Sequence, residues 1–164
     1  MTLLKREANL GDMLIVSAYL PAEERAQLEA FTGAPYEIDS NAVRAWRFPG
    51  PKWTAVDSSD PSRALVVGGF IPQRRGVYQT WFMATPEAWQ PGVGKELTEV
   101  VSATIKEQLS SAHRIETLCL ASREQTRRWY ERIGLHFETL LHGFGANGED
   151  AAVHVALRKP EVVH

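Results

Sequence analysis

Cysteine is nearly absent: the 164 residues contain one, Cys119, so no intrachain disulfide can form and a reducing compartment is expected. It falls in the apolar run 115–121, where a free cysteine behaves as a small buried hydrophobe. No apolar run approaches the ~20 residues that span a bilayer. The first residues, Met1-Thr-Leu-Leu-Lys-Arg-Glu, carry charge where a signal peptide would be apolar. Charge of one sign is lacking too. With 18 Lys and Arg against 20 Asp and Glu, net charge −2 and pI near 6.2, neither nucleic acid nor an anionic membrane is an expected partner. Of the five histidines, His136, His142 and His154 lie near or in the last two strand candidates, but none shows ligand spacing and no metal is expected. Repeats and low-complexity tracts are missing. What remains is an ordinary globular composition, 44% hydrophobic and 23% charged. The length suits one domain, 1–164, able to bury roughly 70% of its unfolded surface without staples. The expectation is a soluble cytoplasmic protein, or one packaged inside something larger.

Periodicity divides the chain into a helical part, 1–50, and a core, 51–158. Thr2–Arg6 is a short strand candidate. Leu10–Tyr19 reads as a helix capped by Asn9. Pro21 opens a second helix, with Leu20, Leu28 and Phe31 on its apolar face and Gly33 at its end. Asp39 or Ser40 caps a short helix through Trp46. Then come strands at Trp53–Val56, Ala64–Ile71 and Val77–Ala84, joined by turns at Asp57–Ser62 and Pro72–Gly76. The second half alternates. A helix from about Gly94 to Ser110 precedes a buried strand at Ile115–Ala121. A helix capped by Ser122 stops at Gly134. Strands at His136–Gly143 and Ala151–Leu157 finish the chain. The strand–helix–strand unit across 77–121 implies a parallel pair inside a mixed sheet of about six to seven strands, with about four helices: an α/β (α+β) architecture.

Three segments could carry chemistry. In Ala84-Thr-Pro-Glu-Ala-Trp-Gln-Pro-Gly-Val-Gly94-Lys95, two glycines open a helix at the carboxyl end of a strand. Free N–H groups at the positive end of a helix dipole suit a pyrophosphate. In Ser122–Leu135, Tyr130 is either an ordinary boundary residue or a phenol able to protonate a thiolate leaving group. Gly143-Phe-Gly-Ala-Asn-Gly148 fits G-x-G-x-x-G literally. A dinucleotide fingerprint needs a helix after it, whereas here a strand follows, and Asn147-Gly148 signals a hairpin. The aromatics Trp46, Trp53, Trp81 and Trp89 could stack a ligand or simply pack.

The first two segments together resemble the GNAT acetyltransferase family. Ala84-Thr85-Pro86 stands at the family's Val-x-Pro, and Gly92 and Gly94 fall at its glycine spacing. Tyr130-Glu131-Arg132-Ile133-Gly134-Leu135 is similar to the Tyr-Glu-Lys-x-Gly-Phe of its second motif, with Arg123 and Thr126 in place of that motif's Asn and Ala. The likeness covers roughly Trp53 to Leu157. It implies the GNAT fold and acetyl-CoA as acyl donor. Its pantetheine would lie on the backbone of Phe82, Met83 and Ala84, and its pyrophosphate on Gly92, Val93, Gly94 and Lys95, with Arg123 a further cofactor-binding residue. Tyr130 would act as the acid, and an amine of a small molecule or protein would be the acceptor.

The chain departs from the family at particular positions. Trp89 replaces an Arg or Gln, Pro91 contributes no N–H, and the second motif's Asn is missing. No base is evident: Gln79 and Thr80 carry no carboxylate, leaving Glu87, His136 or a water. A narrower likeness, in Gly68-Gly69 and Ala84–Trp89, is to GNAT-like proteins of short-tailed bacteriophages. It implies an alternative, an inactive virion component or host-protein-binding module with a phage or host protein as partner, in the host cytoplasm or virion interior.

Overall fold

The computed structural model describes residues 2–159. The elements run β1 (Leu3–Glu7), α1 (Leu10–Ala18), α2 (Ala22–Thr32), α3 (Ile38–Arg47), β2 (Lys52–Asp57), β3 (Asp60–Arg74), β4 (Val77–Ala84), a 3-10 turn (Pro86–Trp89), α4 (Val93–Gln108), β5 (Arg114–Leu120), α5 (Glu124–Arg132), β6 (His136–Leu141) and β7 (Ala151–Leu157). The strands form one mixed sheet in the order β1-β2-β3-β4-β5-β7-β6.

Local chemistry explains most boundaries. Asn9 and Asp12 form a reciprocal capping box on α1. α2 starts after Pro21 and ends on Gly33 in the left-handed region. The described residues hold five α-helices, in keeping with the expected α/β architecture. Some expectations need correction. Ser122 does not cap α5, whose N-cap position is held by Arg123 with no side-chain cap. Asp39 and Ser40 lie inside α3, which begins after Glu37. The two expected turns shrink because β3 runs the full 15 residues from Asp60 through Pro72 to Arg74. The proline is accommodated where the β3–β4 register shifts, between Pro72 and Arg74.

The sheet buries both faces. On one side Val66, Ala84, Leu97, Val101, Ile105, Ile115, Cys119 and Tyr130 form a core under α4 and α5. On the other, Val67 and Met83 join Met13, Val16, Leu20, Ala42 and Ala45 of the N-terminal helices. Neighbouring residues of one strand thus enter opposite cores, as a period of two requires. Gly68 and Gly69 lie under indoles: a Cβ on Gly68 would come within 2.6 Å of the Trp53 ring, and one on Gly69 within 2.8 Å of Trp81 Nε1.

The feature that positions the site is a ladder that stops early. β4 pairs with β3 along its whole length, but in parallel with β5 only at Val77–Gln79 against Arg114–Glu116. Beyond that the two strands part. At the vertex Thr117 Oγ1 donates to the Thr80 carbonyl at 2.9 Å.

Candidate functional site

A cavity of about 510 Å³ occupies the opening between the parted strands. Phe82, Met83 and Ala84 of β4 line it, with Glu24 and Gln27 of α2, Trp89 of the 3-10 turn, Leu97 of α4, and Arg123, Trp129 and Tyr130 around α5. Backbone alternation gives β4 its role. The Thr80 carbonyl points toward β5, whereas the Thr85 N–H points the other way, to Leu65 of β3. Phe82 and Ala84 share the parity of Thr80, so their N–H and C=O groups face the opening, where no strand pairs with them.

α2 lies across the mouth. Glu24 Oε2 accepts a long hydrogen bond of 3.4 Å from the Ala84 N–H, and one turn further Gln27 Oε1 accepts from the Leu120 N–H at 3.0 Å. Two residues at i, i+3 thereby reach the carboxyl ends of both parted strands. Gln27 Oε1 also accepts from Arg123 Nη1 at 2.9 Å, while Arg123 Nε is buried without a partner. Arg123, expected to bind the cofactor, therefore also ties α5 to α2. Burial pushes the Glu24 carboxyl up from 4.5 to about 7, with the Arg123 charge opposing that rise.

Tyr130 is buried at the back of the cavity. Burial drives its phenol well above the usual range, reinforced by the nearby Cys119 thiol and opposed by Arg123, so the hydroxyl keeps its proton at any ordinary pH. His154 packs edge-on against its ring at 5.4 Å between centroids. Cys119 is fully buried, and burial raises its thiol to about 11. It is an inert core group.

The phosphate-type loop is a mixed case. Gly92 adopts φ +88° at the N-cap of α4, and a side chain there would meet nothing within 4 Å. Pro91 has no N–H, and Gly94 spends its own on the Gln90 carbonyl at 3.0 Å. The N–H groups of Gly92, Val93 and Lys95 have no partner among the described residues. The Val93 side chain is buried, leaving only its backbone to face outward. None of Gly92 to Lys95 lines the cavity, which ends on this side at Trp89 and Leu97. Trp89 is 43% exposed and stands edge-on to Trp129 at 5.0 Å, and the Trp129 indole donates to Thr98 Oγ1 of α4 at 3.0 Å. Of the other indoles weighed as ligand platforms, Trp53 is buried, Trp81 packs on Phe48, and Trp46 lies beneath Lys52.

Neither carboxylate nor imidazole considered from sequence as a base reaches the cavity. Glu87 pairs with Arg63, and His136 pairs with Glu131 at 2.6 Å on the exposed side of α5. Gly143–Gly148 lies in the connection between the antiparallel strands β6 and β7, with no helix after it, so the dinucleotide reading is excluded there. Among the described residues no group of three His, Cys, Asp or Glu is placed to hold a metal ion. Nor is any described helix long and apolar enough to cross a membrane.

Mixed sheet, parallel pair that parts, helix entering at the parting and tyrosine behind it together make the GNAT fold. Solved structures share it across nearly the whole chain. An acetyltransferase of the GNAT family from Bacillus anthracis superposes with a TM-score of 0.71 at 16% identity, covering 96% of this chain and 95% of that one. An N-acetyltransferase from Staphylococcus aureus Mu50 gives 0.70 at 14% identity, covering 96% and 99%. A spermidine N-acetyltransferase mutant from Vibrio cholerae gives 0.70 at 12%, covering 94% of each. No family profile and no curated protein matches the sequence.

Proposed function

We propose that this chain transfers an acetyl group from acetyl-CoA directly to an amine. The observation that carries the reading is the early end of the β4–β5 ladder, which leaves the backbone groups of Phe82 and Ala84 facing a cavity with the protonated phenol of Tyr130 behind it. The site's donor chemistry fits a coenzyme A thioester. An extended amide-bearing arm can pair with the free edge of β4 around Phe82–Ala84, as an added strand would. The N–H groups of Gly92, Val93 and Lys95 at the start of α4 suit phosphate oxygens, and Arg123, Arg128 and Arg132 give the α5 side of the cavity positive charge. When bound, the thioester supplies the activated acyl carbon. The residues present supply the rest. A cleft-facing backbone N–H of β4 polarises the acyl oxygen, and Tyr130 donates its proton to the departing sulfur.

Structural neighbours named as acetyltransferases support the reading, and one of them is named for spermidine. Isothermal titration of the protein with acetyl-CoA, followed by assay of thiol release with spermidine and benzylamine as acceptors, tests it. Saturable binding and amine-dependent thiol release are expected. No heat of binding at millimolar acetyl-CoA with folded protein would refute it. A second reading keeps the fold and drops the turnover: a binding module for a phage or host protein. It is favoured by the missing N–H of Pro91 and the committed N–H of Gly94. On that reading, co-purification with a partner persists in Gly92→Glu, a substitution that blocks the phosphate-type loop.

A further inference from the structure

The cavity has two chemically different walls. Its α5 side carries Arg123, Arg128 and Arg132, while its α2 side carries Glu23 and Glu24. The basic wall suits the phosphates of the acyl donor. The acidic wall repels those phosphates, and Glu24 is the carboxylate within it that approaches β4. Its Oε2 lies 3.4 Å from the Ala84 nitrogen, the cleft-facing N–H at the end of β4. An acyl oxygen that takes this N–H displaces Glu24 Oε2 from its long hydrogen bond and leaves the carboxylate beside the acyl carbon.

We propose that Glu24 takes the proton shed by the acceptor amine, and that the acceptor enters along α2, on the side of the cavity opposite the arginines. The inference rests on the acyl-transfer reading above and deepens it. The step balances. The amine nitrogen forms a bond to the acyl carbon, the carbon–sulfur bond breaks, a nitrogen proton passes to the Glu24 carboxylate, and the sulfur takes the Tyr130 proton. Water then removes the proton from Glu24 and restores the one on Tyr130. Amine and thioester have become amide and thiol. Glu23, beside Glu24 on the same wall, favours acceptors that carry further positive charge, since a cleft lined with one sign of charge concentrates the other.

The surroundings of Glu24 suit proton exchange near neutrality. Arg123 at the head of α5 favours the carboxylate, whereas burial and Glu23 favour the acid. Tyr130 of α5 and Tyr36 ahead of α3 also feel its charge, and both keep their protons in this range because burial raises them. The balance sets Glu24 at about 7, where a base is ionised at working pH yet still accepts a proton readily.

The test compares wild type, Glu24→Gln and Glu24→Asp, using acetyl-CoA with spermidine and benzylamine as probe acceptors. Melting curves first establish that each variant is folded. In wild type, kcat/KM referred to the concentration of neutral amine is expected to fall below about pH 7 with a single ionisation. Glu24→Gln is expected to lose about 100-fold in kcat/KM together with that limb, while its calorimetric Kd for acetyl-CoA stays within about threefold. Glu24→Asp, which keeps the carboxylate, is expected to restore part of the rate and the limb. A Glu24→Gln variant that keeps both the rate and the limb overturns this proposal and leaves acyl transfer standing. A wild type that binds acetyl-CoA but releases no thiol with either amine overturns both.

Discussion

The Glu24 carboxylate lies 3.4 Å from the Ala84 backbone nitrogen, so a side chain of α2 meets the last cleft-facing donor of β4. This placement has a thermodynamic signature that needs no substrate. The folded protein holds the Glu24 proton up to about pH 7, and the unfolded chain releases it near 4.5. Between those values the folded state binds more protons. The stability this provides is fully present below 4.5 and is lost as pH rises through 7. Glu24→Gln stays neutral throughout. Urea unfolding is expected to find the variant level with wild type at pH 4.5 and more stable at pH 8, by on the order of 2–3 kcal/mol. A variant less stable at pH 8 would mean that attraction to Arg123 outweighs burial.

His154 works in the opposite direction. It is buried, accepts from Arg127 Nε at 3.4 Å, and places Nδ1 3.1 Å from the Leu135 carbonyl. The neutral ring with the proton on Nδ1 satisfies both contacts. Burial is the main reason its pKa lies below 6.5. Under mild acid the unfolded chain therefore binds a proton that the folded protein refuses. Stability is full above 6.5 and falls as pH drops below it. Comparing urea midpoints at pH 7.5 and pH 5 should show wild type losing stability where His154→Gln loses less.

The sequence carried the parts of this fold whose causes are local. β4 and β7 begin and end where β-branched and aromatic runs meet turn residues, and α1 begins at its cap. Tyr130 is legible because it sits beside Glu131 and Gly134 in a recognisable order. Glu24 is not. In the sequence it is one of several charged residues on a polar helix, next to Glu23 and Arg25 and close to Glu29. Only the passage of α2 across the ends of β4 and β5 half-buries Glu24 while leaving Glu23 and Glu29 exposed. Glu87 and His136 misled for the same reason: their nearest partners, Arg63 and Glu131, hold them outside the cavity. The extent of β3 was also hidden, since Pro72 reads as a turn until the register shift that accommodates it is seen.

The paired glycines of β3 have a packing role that can be measured. Gly68 lies against the Trp53 ring, and Trp53 leads through Phe82, at 6.2 Å between centroids, to the cavity. A methyl group at Gly68 would force the indole toward Phe82. Gly68→Ala is expected to destabilise the protein by about 1–3 kcal/mol. Adding Trp53→Leu should make the pair less damaging than the sum of the single changes, because the two side chains compete for one space. Chemical denaturation of all four proteins tests this, and strict additivity would show that the contact is not what constrains the glycine.

Tyr130 offers a cleaner separation of binding from chemistry. Its hydroxyl is protonated at working pH, and its ring remains in Tyr130→Phe, so the packing against His154 is kept. On the acyl-transfer reading the variant is expected to bind acetyl-CoA within about threefold of wild type and to lose about 100-fold in kcat. Thioesters with more acidic leaving thiols should recover part of the loss, since they need less protonation. Equal losses for all leaving groups would place Tyr130 in packing alone.

Arg123 is the charge that keeps Glu24 ionisable. It is the largest influence opposing the rise of the Glu24 pKa, and Arg123 Nη1 meets Gln27 one turn away on the same helix. Removing the charge leaves burial opposed only by the hydrogen bond from the Ala84 N–H. In Arg123→Met, the Glu24 carboxyl should therefore titrate above its wild-type value of about 7. The Cys119 thiol, also held down by Arg123, should rise from about 11. Carboxyl carbon NMR of glutamate-labelled protein reads the first shift directly, with Glu24→Gln identifying the resonance. Arg123→Lys preserves the charge while losing the guanidinium geometry, so it should hold Glu24 closer to its wild-type titration. If Met and Lys move Glu24 alike, the influence of Arg123 comes from its bond to Gln27 and the seating of α2, not from its charge. Any acid limb in turnover should then follow the helix and not the electrostatics.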